Sequence, residues 1–167
     1  MLDRFTKLFN PENPRKKAEM AFARLVSEVS LGSLPYRGGL SETRRRAKSQ
    51  PTAIGVWLIP CNEPQTVQPD FTNAIPAVTF DLRNMGIGVL VRQHLECDVV
   101  VAIPDKQENW HSFECEVRHQ SQRPGGWYQV GLQVQSIFEP SLTEMTLLRS
   151  HFTQELASAT AEEAYCG

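Results

Sequence analysis

No C-x-x-C pair occurs among Cys61, Cys97, Cys115 and Cys166, and no secretory signal precedes them. A disulfide framework is therefore not expected, and four free thiols in a reducing compartment fit better. No window approaches the roughly 20 consecutive apolar residues that a membrane-spanning helix needs, so a cytoplasmic protein without a transmembrane segment is expected. There is no excess of positive charge either: 17 Lys and Arg face 19 Asp and Glu, a formal net charge of -2. That balance argues against broad binding to DNA or RNA. No P-loop and no nucleophile elbow is present, and Cys115 near His119 forms no catalytic signature on spacing alone, so no enzyme is expected. His111, Cys115 and His119 recur every four residues, but on a strand they would stand about 13 Å apart between neighbours, too far to share one metal ion.

What is present is enough apolar material for one modest core: 41% of 167 residues are hydrophobic. The chain divides into an N-terminal helical extension and linker over residues 1–40, a β-rich unit over 41–138, and a C-terminal helix and tail over 139–167. Residues 1–9 place Leu2, Phe5, Leu8 and Phe9 on one side of a short helix that docks on its own domain. Asn13 and Pro14 then make a helix start, since asparagine caps and proline pre-sets the first turn. Ala18, Phe22, Leu25, Val26 and Val29 follow at helical spacing, and the helix should end near Gly32. The next segment has no sustained period and crowds Arg37, Arg44, Arg45, Arg46 and Lys48 into twelve residues. Alone it reads as a solvated linker; just before a strand it is a local anion site.

A strand is predicted over 52–59, apolar on both faces and so partly covered by a helix. Residues 62–74 read as an irregular polar loop. Val78, Phe80 and Leu82 alternate with Thr79, Asp81 and Arg83, then Asn84, Met85, Gly86 and Gly88 interrupt before Val89, Leu90 and Val91. That pattern is strand, turn, strand, with Asp81 and Arg83 on the polar face and glycines permitting close backbone approach. Further strands are predicted over 98–103, over 112–118 and over 128–135, with a turn at residues 123–126. Six short strands separated by turn signals predict a mainly β fold, a six-stranded antiparallel barrel flanked by N- and C-terminal helices. Pro140-Ser141-x-x-Glu144 opens the last helix with a capping box, carrying Met145, Leu148, Phe152 and Leu156, and residues 158–167 should fray.

Two short segments carry a family resemblance. Asp81-Leu82-Arg83-Asn84-Met85-Gly86 resembles the D/N-x-S-x-x-G motif of PilZ domains, with Arg83 where the family has serine. Upstream, residues 43–49 (T-R-R-R-A-K-S) resemble the family's R-x-x-x-R motif just before the first barrel strand. There the second arginine is replaced, by Ser49 if aligned on Arg45 and by Lys48 if aligned on Arg44. Trp127-Tyr128-Gln129-Val130-Gly131-Leu132 is similar to the family's late Y-x-V-G strand, so the likeness spans roughly residues 43 to 138.

The resemblance implies a PilZ-like barrel in a bacterial signalling protein that binds bis-(3'-5')-cyclic dimeric GMP and relays its level to a protein partner, with no cofactor. Arg44, Arg45, Arg46 and Lys48 would clamp the ligand, Asp81 would accept from the guanine edge, Arg83 would meet phosphate or guanine, and Gly86 would allow close approach. Guanidinium groups suit this task because they bind phosphate and the guanine O6/N7 edge in pairs of hydrogen bonds. Lysine lacks the planar fork, and Arg83 either substitutes for the missing arginine or fills the base pocket. The alternative is a degenerate PilZ-like barrel that binds no nucleotide and serves as a protein adaptor.

Overall fold

The computed structural model describes residues 13–30, 53–61, 68–105 and 109–165, with side chains to residue 28 in the first helix and to 153 in the last. The expected helix over residues 1–9 and the cation-rich segment lie outside these residues. Six strands, β1 (Gly55–Pro60), β2 (Ile75–Arg83), β3 (Gly86–Val91), β4 (Val99–Pro104), β5 (Trp110–Arg123) and β6 (Trp127–Phe138), form a closed antiparallel barrel in the order β1-β2-β3-β6-β5-β4. Helix α1 (Pro14–Ser30) precedes the barrel and α2 (Leu142–Tyr165) follows it.

The helix starts are those the sequence predicts. Asn13 accepts from the backbone N–H of Arg15 at 3.1 Å, and its own carbonyl accepts from Lys17 N–H. At α2 the capping box closes both ways: Glu144 accepts from Ser141 N–H at 2.6 Å and Ser141 Oγ from Glu144 N–H at 3.4 Å. The expected fraying from residue 158 is corrected, because α2 runs to Tyr165. The end of the polar segment before β2, from residue 68, carries a regular turn where an irregular loop was expected. Asp70 caps a 3-10 turn over Phe71–Asn73, and this turn buries Phe71.

The alternation in β1 divides two cores. Val56 and Leu58 point into the barrel among Val89, Val91, Val101, Phe113, Val130 and Leu132, and Ala18, Phe22 and Leu25 of α1 join that interior cluster. The Phe22 ring meets Phe113 edge-on with centroids 5.4 Å apart. Trp57 and Ile59 face outward, where Val100, Ala102, Phe71 and the fully buried Leu148 of α2 cover them. The helix cover expected over the two-sided apolar strand is therefore α2. His151 of the same helix donates through Nε2–H to the Phe71 carbonyl at 3.0 Å and packs on Trp57.

In β2 the expected apolar face of Val78, Phe80 and Leu82 is wrong. Thr79 pairs with Val89 and Asp81 with Gly88, so Phe80 is an extra residue, a β-bulge. The inward residues are Ala77, Thr79 and Leu82, while Val78 is 41% exposed. Thr79 can stand in the core because its hydroxyl accepts from Ile54 N–H at 3.0 Å. The β2–β3 hairpin turns at Asn84 and Met85, within the expected interruption, and both carry positive φ values (25° and 65°). That is the turn sense two-residue hairpins favour. Met85 tolerates it with its side chain buried, and its carbonyl accepts from both Val134 N–H and Gln133 Nε2.

Candidate functional site

Two bulges shape one outer face of the barrel. Strict alternation from Ala77 and Thr79 would carry Asp81 into the apolar interior. The extra residue Phe80 turns it outward. In β5, Val117 pairs with Leu132 and His119 with Gly131, so Arg118 is a second extra residue and His119 is likewise turned out. The result is a row of cross-strand partners, Asp81 on β2, Gly88 on β3, Gly131 on β6 and His119 on β5. Beside it lies the row Arg83, Gly86, Gln133 and Glu116.

The two central glycines of the first row are a floor that side chains would fill. A Cβ on Gly88 would stand 2.6 Å from Phe80 Cζ, and one on Gly131 would stand 2.1 Å from His119 Cε1. Phe80 and His119 thus fold over the bare backbone from opposite sides. The cavity above this floor has a volume of about 480 Å³, within the range of small-ligand sites, and Arg83, Arg118, Gln129 and Gln133 also line it.

Charge is arranged at both ends. Asp81 is only 7% exposed, and its Oδ2 accepts from Arg83 Nε at 2.6 Å and from Arg83 Nη2. Its Oδ1 is buried and has no hydrogen-bond partner among the described residues. A buried carboxylate oxygen without a donor costs about 1 to 3 kcal/mol, so Oδ1 carries unmet acceptor capacity. The Arg83 side chain is 60% exposed, and its Nη1 takes no part in the pair with Asp81. Across the floor, Arg118 Nη1 pairs with Glu116 Oε1 at 3.0 Å. Asp98 accepts from Val117 N–H at 3.0 Å, holding the backbone of the bulge just past the last β4 rung.

Of the residues singled out in the sequence, Asp81, Arg83 and Gly86 come together here. Arg44, Arg45, Arg46 and Lys48 lie outside the described residues. Phe80, Arg118 and His119 were missed, because a bulge is not written in an alternating pattern. The available signal was glycine inside an apolar strand, at 88 and 131, which marks close approach or a bulge. The residues weighed for a metal do not converge. Cys115 faces the interior, His119 faces out, and His111 Nε2 lies 3.2 Å from Asp105 Oδ2.

A second cavity, of about 570 Å³, lies on another face. All three tryptophans, Trp57, Trp110 and Trp127, line it with Phe152 of α2, and Arg92 stands 4.5 Å over the Trp127 ring.

No family model matches the chain. No curated protein matches it either. Among solved structures, the inhibitor of motility MotI/DgrA of Bacillus subtilis aligns with 16% identity and a TM-score of 0.41, over 74% of this chain and 57% of that one. The chain thus spans a little over half the length of that protein.

Proposed function

We propose that the chain is a receptor for bis-(3'-5')-cyclic dimeric GMP, taken up on the glycine-floored face of the barrel, and that it relays the ligand's level to a protein partner. The observation that carries this reading is Asp81, a cavity-lining carboxylate whose buried Oδ1 has no partner among the described residues, beside exposed guanidinium groups that line the same cavity. Guanine presents adjacent N1–H and N2–H donors, which a carboxylate matches. Arg83 holds Oδ2 and so orients the carboxylate, and its outer nitrogens meet a phosphate oxygen.

Arg44, Arg45, Arg46 and Lys48 are assigned as the remaining cations. Their tether supports the assignment: Ile54 exchanges hydrogen bonds with Thr79, two residues from Asp81. Five residues lie between Lys48 and Ile54, so the six steps span at most about 21 Å. Gly86 brings the hairpin close, since a Cβ there would stand 3.0 Å from the Arg83 carbonyl oxygen.

The adaptor reading has one observation in its favour, the tryptophan-lined cavity beside α2, with Leu142 and Phe152 exposed nearby in sequence. Aromatic apolar surface of this kind is what protein contacts use. Isothermal titration of the wild type with millimolar cyclic dimeric GMP at low salt separates the two. Saturable heat is expected, and no heat with no chemical-shift change overturns the receptor reading and leaves the adaptor.

A further inference from the structure

We propose that the β5 bulge forms the far subsite of this cavity, Arg118 taking a phosphate and the His119 ring stacking on a base of the ligand. The inference rests on the cyclic-dinucleotide reading above and extends it to residues that no motif assigns. Three observations carry it. The row from Asp81 to His119 crosses three inter-strand spacings, about 14 Å, longer than a single nucleobase, so a ligand anchored at Asp81 that follows the floor reaches β5. Both ends of the row are made by bulges that turn a polar residue out of the barrel, and in each case the extra residue also lines the cavity, Phe80 at one end and Arg118 at the other. Finally, among the described residues no hydrogen bond engages the exposed His119 ring, although it lies over bare glycine backbone beside the cavity.

Each group suits the assigned part. Arg118 is exposed and, among the described residues, paired with the half-buried Glu116, whose other oxygen already accepts from Gln135 Nε2 at 3.0 Å. A phosphate competes with that carboxylate for a guanidinium whose planar fork fits either anion. The His119 ring offers a π-face of the kind on which nucleobases stack. Because Gly131 has no side chain, a ring stacked there stays close to the sheet.

The test titrates cyclic dimeric GMP into the full chain and into Arg118→Ala, Arg118→Lys and His119→Ala, with the histidine ring resonances of the wild type followed by NMR. Residues 118 and 119 are exposed, so thermal melts of the variants should match the wild type. Arg118→Ala is expected to weaken binding about tenfold to a hundredfold, with Arg118→Lys recovering part of the loss, and His119→Ala about tenfold. The His119 Cε1–H signal should move upfield as a base stacks on it. If the wild type binds while both alanine variants stay within about twofold of it and His119 does not move, the far subsite is overturned and Asp81 with Arg83 stands as the site. A single variant at wild-type strength removes that residue. A wild type that gives no heat overturns the receptor reading and this inference with it.

Discussion

Replacing Arg83 by serine tests how the site holds its carboxylate. In the wild type both Arg83 nitrogens on Asp81 donate to Oδ2, and Oδ1 has no donor among the described residues. The ion pair is half wet, with the Arg83 side chain 60% exposed, so its direct attraction is worth no more than about 1 kcal/mol. The larger effect is on what is left behind. Arg83→Ser leaves a carboxylate that is 7% exposed with neither oxygen served by protein, which costs about 1 to 3 kcal/mol. At about 2 kcal/mol, a chain of this length should lose roughly 4 to 8 °C in melting temperature. Urea melts of Arg83→Ser, Asp81→Asn and the double variant isolate the cause. In the Asp81→Asn background, where no charge needs a partner, the serine substitution should cost less than about 0.5 kcal/mol. Affinity for cyclic dimeric GMP should fall about tenfold, since the serine neither orients Asp81 nor meets phosphate. Equal costs in the two backgrounds would refute the stabilising role of the pair, and a gain in affinity would show that Arg83 blocks the base pocket.

Four other outcomes follow from the same geometry. Gly88→Ala should cost about 1 to 3 kcal/mol because its Cβ displaces the half-buried Phe80, whereas Gly131→Ala should cost little, since the exposed His119 can swing away; similar urea midpoints would contradict the packing argument. Asp98→Ala should cost about 1 kcal/mol and speed amide exchange at Val117, whose N–H it leaves without an acceptor, and unchanged protection there would mean the bulge is held otherwise. Phe22→Ala should cost about 3 kcal/mol and release α1 amides to exchange, and a loss confined to stability with α1 still protected would place the helix's anchor elsewhere. Burial pushes the Cys61 thiol up to about 11 from an ordinary 9.0, so the fold favours its neutral form. Its contribution is present in full below about pH 9 and is lost as pH rises through 11, so alkylation near pH 8 should be much slower at Cys61 than at the more accessible Cys97; equal rates would contradict this.

The barrel was legible because its strands alternate and its turns are punctuated, and both helix starts were legible because capping is a local, chemically specific pattern. The two-sided apolar character of β1 even announced the helix over Trp57 and Ile59. The site was legible only at one end. Asp81, Arg83 and Gly86 flank a turn whose polarity stands out, although the alternation assigned Phe80 to the wrong face. His119 and Arg118 were hidden because β5 has no local signal for its extra residue, and only pairing with β6 shows that Val117 and His119 lie on opposite faces. Thr79 misled for a similar reason: a threonine in the core is tolerated once a neighbouring chain supplies its hydrogen bond, here from Ile54. The left-handed backbone at Met85 has no signal in the sequence, because a long apolar residue rarely adopts it, and here its side chain packs in the core.

The central claim is that Asp81 receives a guanine edge at the mouth of the glycine floor. It is tested most directly by NMR of the full chain with cyclic dimeric GMP, observing the guanine N1–H imino protons of the bound ligand. A slowly exchanging imino signal is expected, with cross-relaxation to protons of Asp81 and Gly88, and it should disappear in Asp81→Ala. A titration that leaves the Gly88 and Gly131 amides unmoved, or a bound ligand whose imino signal persists in Asp81→Ala, would contradict it.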